Sequence, residues 1–159
     1  MALRINPPAS AMPTYDNFRD DGTPNIEVSN SVYYYRARDR DTETMNQQTA
    51  DLNLLLYWIF RDITFSMACK YELTFRNYNQ DSRRIMFKRQ VELLTQLSPE
   101  WGERGAREQA KILEQSPFND DYDARAVYAQ ELEKQGVPPE VRWKMVKEKY
   151  PPAKEGYGF

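Results

Sequence analysis

Between Asp51 and Arg76 the chain reads DLNLLLYWIFRDITFSMACKYELTFR, and from Leu52 to Phe60 only Asn53 is polar. A membrane-spanning helix needs about 20 consecutive apolar residues. Arg61-Asp62 interrupts the run well short of that, which excludes a span. At about 100° per residue, Leu54, Leu55, Leu56, Tyr57, Trp58, Ile59 and Phe60 point in every direction. A helix that is apolar all round is buried on several sides. The segment therefore predicts a central helix over about 51–76, with Leu55, Ile59, Ile63 and Met67 inside the core.

The charges within this helix admit two readings. Asp62, Ser66 and Lys70 follow at four-residue steps, so Asp62 and Lys70 share one ribbon; Glu72 and Arg76 form an i,i+4 pair in the favourable order. Arg61 lies three turns before Glu72 on the same face. Carboxylates so placed could act as acid and base, as in glycoside hydrolysis. Ion-pair networks perturb carboxylates in the same way, and no nucleophile–base pair accompanies these, so the ion-pair reading is preferred.

The flanking segments define an α+β fold class. Ile26 and Val28 alternate with polar residues, SNS at 29–31 marks a turn, and 32–38 is rich in Val and Tyr. RDRD at 38–41 marks a second turn, and TETMNQQ returns. This predicts a small N-terminal antiparallel β-meander over 25–48, packed on a mostly helical body. Tyr33 and Tyr35 share one face, Val32 and Tyr34 the other, and the polar last strand suits an exposed edge. Residues 1–24, with Pro7, Pro8, Pro13 and Pro24, predict an extended lead-in.

After the central helix, Met86, Phe87, Val91, Leu94 and Leu97 form one helical stripe. Ser98-Pro99 opens a further helix to about Gln115, whose apolar content, mainly Trp101, Ile112 and Leu113, is thin enough to place it on the surface. Ser116-Pro117 breaks it. Asp120 or Asp121 caps a helix stopped by Gly136, and Pro138-Pro139 opens the last, which ends before Pro151-Pro152. The tail AKEGYGF is expected to be mobile. Three segments result: a lead-in at 1–24, an α+β core at 25–118, and a helical extension with its tail at 119–159.

Composition removes most catalytic chemistry. Among 159 residues there is no His and one Cys, and the net charge is −2. Ser-His-Asp and Cys-His catalysis, His-metal sites and thiolate zinc sites are excluded. Carboxylate sites for Mg²⁺ or Ca²⁺ remain open, but no EF-hand-type loop occurs, and no phosphate-cradling glycine loop occurs either. No enzyme and no cofactor is expected. Cys69, beside Met67 and Ala68, reads as a buried thiol with a raised pKa. MALRINPPASAMP has no apolar signal region, and with the lone thiol this predicts a cytoplasmic protein.

Two surface features are candidates for binding. RNYNQDSRRIMFKR at 76–89 sets Arg76, Arg83, Arg84, Lys88 and Arg89 against Asp81 alone, with Tyr78 and Phe87 nearby. That could contact phosphates and stack a base, although the near-neutral chain makes a nucleic-acid partner the weaker reading. Acidic runs occur with aromatics or Arg: YDNFRDD at 15–21, RDRDTE at 38–43 and NDDYD at 119–123. Such runs solvate a face or cap a helix, but they also suit a basic protein partner. Asp39, Asp41 and Glu43 form one candidate patch, and Asp120, Asp121 and Asp123 the alternative.

Several motifs carry a resemblance. PTY at 13–15, DDGTPNIEV at 20–28, LLYWIF at 55–60, TFSMA at 64–68, YEL at 71–73, RR at 83–84, PEW at 99–101 and PF at 117–118 occur in this order. Over about residues 13–118 the chain resembles family 63 of the immunity proteins of bacterial polymorphic-toxin systems, most distinctively at Leu55–Leu73. Ser82 and Arg61 depart from the family pattern, and 119–159 has no counterpart in it. The resemblance implies a non-enzymatic protein that binds and neutralises a toxin domain encoded by a neighbouring gene. Self-association is left open.

Overall fold

The computed structural model describes residues 4–151; the tail expected to be mobile lies outside the described residues. Four strands precede five helices: β1 (Thr14–Tyr15), β2 (Asn25–Ser29), β3 (Val32–Asp39), β4 (Thr42–Thr49), α1 (Leu52–Thr74), α2 (Arg83–Leu97), α3 (Pro99–Gln115), α4 (Asp121–Lys134) and α5 (Pro139–Lys149). The class is α+β, as the pattern predicts.

The meander forms with the order β1-β2-β3-β4. Its hairpin turns put Asn30 and Ser31, then Arg40 and Asp41, at positive φ. Two left-handed residues in a two-residue loop give a turn whose twist matches that of the strands. The predicted three strands gain a fourth, because Thr14 and Tyr15 of the lead-in pair in parallel with Asn25 and Ile26. Buried Asn25 anchors this addition: its Oδ1 lies 3.0 Å from the Thr14 hydroxyl and accepts the Asn17 N–H at 3.3 Å. A two-residue strand between prolines has no periodicity from which to be read.

Helix α1 starts where Asp51 accepts the Asn53 N–H at 2.8 Å. It ends at Thr74, short of the predicted end, with Phe75 N–H donating back to Tyr71 and Glu72 carbonyls. The helix lies between two layers. Tyr35 of the sheet and Leu93, Leu94, Leu97 and Trp101 of α2 and α3 share one core with Leu55, Ile59 and Ile63. Met67 is only partly buried against that core. Leu52 is 52% exposed and Leu73 and Phe75 are 66% and 58% exposed, so the helix is enclosed over its middle turns and emerges at both ends. Periodicity reports which residues are apolar, not how far the covering layers extend.

Helix α3 is less superficial than its composition suggests. Trp101 is buried and stacks on Phe60 with ring centroids 5.8 Å apart. Gly102 and Gly105 are buried too, and they bring the α3 backbone onto α2. Counting apolar side chains misses a face made of glycine. Helices α4 and α5 pack on each other around Leu132 and Val146, with Tyr128 edge-on to Tyr150. The expected Asp62–Lys70 pair does not form; Asp62 accepts from Arg61 Nε at 3.0 Å.

Candidate functional site

Two of the acidic runs meet at one end of the sheet. The β3–β4 turn carries Asp41, whose N–H donates to both carboxylate oxygens of Asp20 at 3.0 and 3.1 Å. Gly22 N–H donates to the Arg38 carbonyl at 2.7 Å, and Asp21 bridges to Asp39 across an isolated antiparallel pair. Asp20 and Asp21 are therefore tied to Asp41 and Asp39 at this turn, where Arg38 and Arg40 are also exposed, and Glu43 follows on β4 opposite Arg38. The Thr23 hydroxyl and amide hold the Asp21 carboxyl below its usual value. Arg38 lies over the Phe18 ring, 5.1 Å from its centroid, so an aromatic side chain edges the cluster. Sequence reading kept 15–21 and 38–43 apart, because only the fold of the lead-in closes the gap.

The alternative patch is put to internal use. Buried Asp81 accepts from Arg83 Nε at 3.0 Å, from Arg83 Nη2 at 2.6 Å and from the Asn119 N–H at 2.8 Å. Asp120 accepts from Arg84 at 2.6 and 2.8 Å and from the Asp81 N–H at 3.0 Å. Arg83 also donates to the Ser116 and Pro117 carbonyls at 2.9 Å each. The Phe118 ring lies 4.2 Å from the Arg84 guanidinium. Segment 116–120 is thus clasped onto the start of α2. Asp120 does not cap α4; the Asp121 N–H is taken by Asn119 Oδ1 at 3.2 Å.

Electrostatics follow the contacts. Burial pushes the Asp81 carboxyl up, but the Arg83 guanidinium and the Asn119 and Arg83 amides outweigh it, and the net shift is downward. Arg84, then the Asp81 amide, lowers Asp120 to about 2. Asp123 is half-buried at a cleft of about 380 Å³ beside Asp81 and Arg83, whereas Asp120 and Asp121 are exposed.

The basic segment is similarly committed. Arg76 grips buried Glu72 at 2.8 and 2.9 Å, Arg83 and Arg84 hold the 116–120 clasp, and Arg89 pairs with Glu92 at 3.1 Å while covering Tyr71. Lys88 is exposed. Cys69 is partly buried, with Sγ 3.4 Å from Met86 Sδ; burial, then Glu72, raises its thiol pKa. Tyr57 donates to Glu108 at 2.8 Å, and burial, then Glu108, pushes its hydroxyl up. Among the described residues no group of three or more His, Cys, Asp or Glu could hold a metal ion, and no helix is long and apolar enough to cross a membrane.

No curated protein matches the chain, and no solved structure does. The family model for immunity protein 63 matches residues 29–111, from the β2–β3 turn almost to the end of α3. That interval spans the central helix with the layers on both its faces and more than half of the sequence, and on that footing the chain belongs to the immunity protein 63 family.

Proposed function

We propose that this protein is a cytoplasmic immunity protein. It binds the toxin domain encoded by a neighbouring gene and neutralises it by one-to-one occlusion, without catalysis. The observation that carries this reading is family membership over 29–111. Segment 25–118 bears the function, and 119–159 is an extension whose first residues, Asn119 and Asp120, are clasped onto it. Of the two acidic patches, the β3–β4 tip is the binding surface: Asp39, Asp41 and Glu43 lie within the matched segment and are exposed, with Asp20 and Asp21 tied to the same turn. Asp120, Asp121 and Asp123 lie outside it, and Asp120 is held by Arg84. An acidic surface of this kind suits a toxin whose substrate cleft is basic, such as a nuclease. Nucleic-acid binding through 76–89 loses support, because Arg76, Arg83, Arg84 and Arg89 already have carboxylate partners.

A toxin that leaks kills its producer, so the affinity should be nanomolar or better, about −12 kcal/mol. Co-expression with the neighbouring toxin domain tests the proposal. Wild type should restore growth, and a folded variant carrying Asp39→Lys, Asp41→Lys and Glu43→Lys should not. Growth with both would discard the acidic tip while sparing the immunity role. Death with wild type at matched expression would discard that role.

A further inference from the structure

Strand β4 is the outermost strand of the sheet, and the pairing parity shows which of its main-chain groups are free. Ser29 and Val32 flank a two-residue turn, so they exchange both main-chain hydrogen bonds, and pairs alternate from there. Tyr34 and Arg36 consequently face β2, while Tyr33, Tyr35 and Ala37 face β4. Their partners are Thr49, Gln47 and Met45. Asn46 and Gln48 therefore aim their N–H and C=O groups away from the sheet. Among the described residues no other main-chain group takes them.

Such an edge is normally guarded by Lys, Pro or brevity. Strand β4 has eight residues, neither Lys nor Pro, and one charge, Glu43. The side chains of Asn46 and Gln48 are exposed. A register shift between Ala37 and Arg38 disturbs the ladder near the tip, and from Met45 to Thr49 the pairing with β3 runs without a further shift.

We propose that β4 is where the toxin domain docks, by adding an extended segment of its own as a fifth strand. The basic side chains of that segment lie at the end that reaches Asp39, Asp41 and Glu43. This rests on the immunity reading and deepens it: main-chain hydrogen bonds supply the attachment and the acidic tip sets register and direction. A second copy is the rival occupant of this edge, and two of its registers are disfavoured. Antiparallel self-pairing centred on Asn46 or on Gln47 sets Asp41 or Glu43 of one copy against Asp51 of the other, at both ends of the contact. Like charges so placed are repulsive.

Hydrogen exchange and one pair of variants test this with the purified toxin domain from the neighbouring gene. In the free protein the amides of Asn46 and Gln48 should exchange fast while those of Gln47 and Thr49 are already protected; in the complex all four should be slow. Asn46→Pro removes an outward donor and leaves the β3 ladder intact, since Pro is tolerated on an edge with its nitrogen outward. It should weaken binding by about tenfold or more, while Asn46→Ala stays within about twofold. A complex in which the Asn46 and Gln48 amides still exchange freely, or Asn46→Pro binding like wild type, would overturn the docking edge alone. If Asn46→Pro fails to fold, exchange on the wild-type complex decides. Failure of wild type to bind the toxin domain would overturn the immunity reading, and this inference with it. Protection at Asn46 that rises with protein concentration without toxin, together with a dimer mass, would put a second copy on the edge and overturn the proposal.

Discussion

Gly102 and Gly105 stand where α3 has no room for a side chain. A Cβ at Gly102 would collide with Thr95 Oγ1 and come within 3.0 and 3.1 Å of Thr95 Cβ and Cα. At Gly105 it would meet Leu94 Cδ1 at 2.6 Å, and Leu94 is fully buried. Alanine in a helix interior normally gains about 1 kcal/mol over glycine, whereas overpacking costs about 1–3 kcal/mol. At Gly102 the obstacle includes backbone, so overpacking prevails; Gly102→Ala should lower stability by about 1–2 kcal/mol in urea denaturation. Ile59 makes the opposite case. It is 5% exposed between the sheet and α2, and Ile59→Ala should cost about 2–5 kcal/mol through the cavity it leaves. On the same helix, Leu73→Ala should stay within about 0.5 kcal/mol, because Leu73 reaches solvent. Equal costs at the two positions would refute the two-layer account of α1.

At the scale of elements, the attachment of α4 to α2 depends on pH. Asp81 and Asp120 both have folded pKa values below the ordinary aspartate value, with Asp120 at about 2. Lowered carboxyl pKa values stabilise the clasp above the unfolded value, about pH 4, and that contribution is lost as pH falls toward 2. Acidification through this window should release 116–123 from α2 while the core of α1, α2 and the sheet persists. Amide exchange is the measurement: the Asp81 and Asn119 N–H groups, which donate to Asp120 and Asp81, should lose protection before those of α1. Asp120→Asn at neutral pH should reproduce part of the effect. Simultaneous loss of protection in the clasp and in α1 would show that the two do not separate.

For the whole molecule the decisive quantity is charge distribution, not net charge. A chain of net charge −2 has little global field, yet five carboxylates lie at one end of the sheet, against Arg19, Arg38 and Arg40, and leave that end net acidic. Association with a basic toxin should therefore be steered by that end. Wild-type association should slow as salt is raised past the range where the Debye length falls below about 10 Å. Association of the Asp39, Asp41 and Glu43 charge-reversed variant should be slower at low salt and should speed up as salt screens its repulsion from the basic toxin. Stopped-flow kinetics across a salt series would check it, and equal salt slopes for both proteins would remove steering by the tip.

The α+β class, the meander, the order of the helices and the central position of α1 were all legible in the sequence. Each depends on local rules: side-chain periodicity, turn residues and helix ends. The Glu72–Arg76 pair was legible for the same reason, since four residues on one helix fix their separation. Only the tertiary structure joined Asp20 and Asp21 to the β3–β4 tip, paired Asp120 with Arg84, and ended the cover over α1 before Leu73. Those outcomes depend on where segments far apart in the chain come to rest. Spacing along a sequence does not carry that distance, and so a run of carboxylates reads alike whether it ends in solvent or in an ion pair.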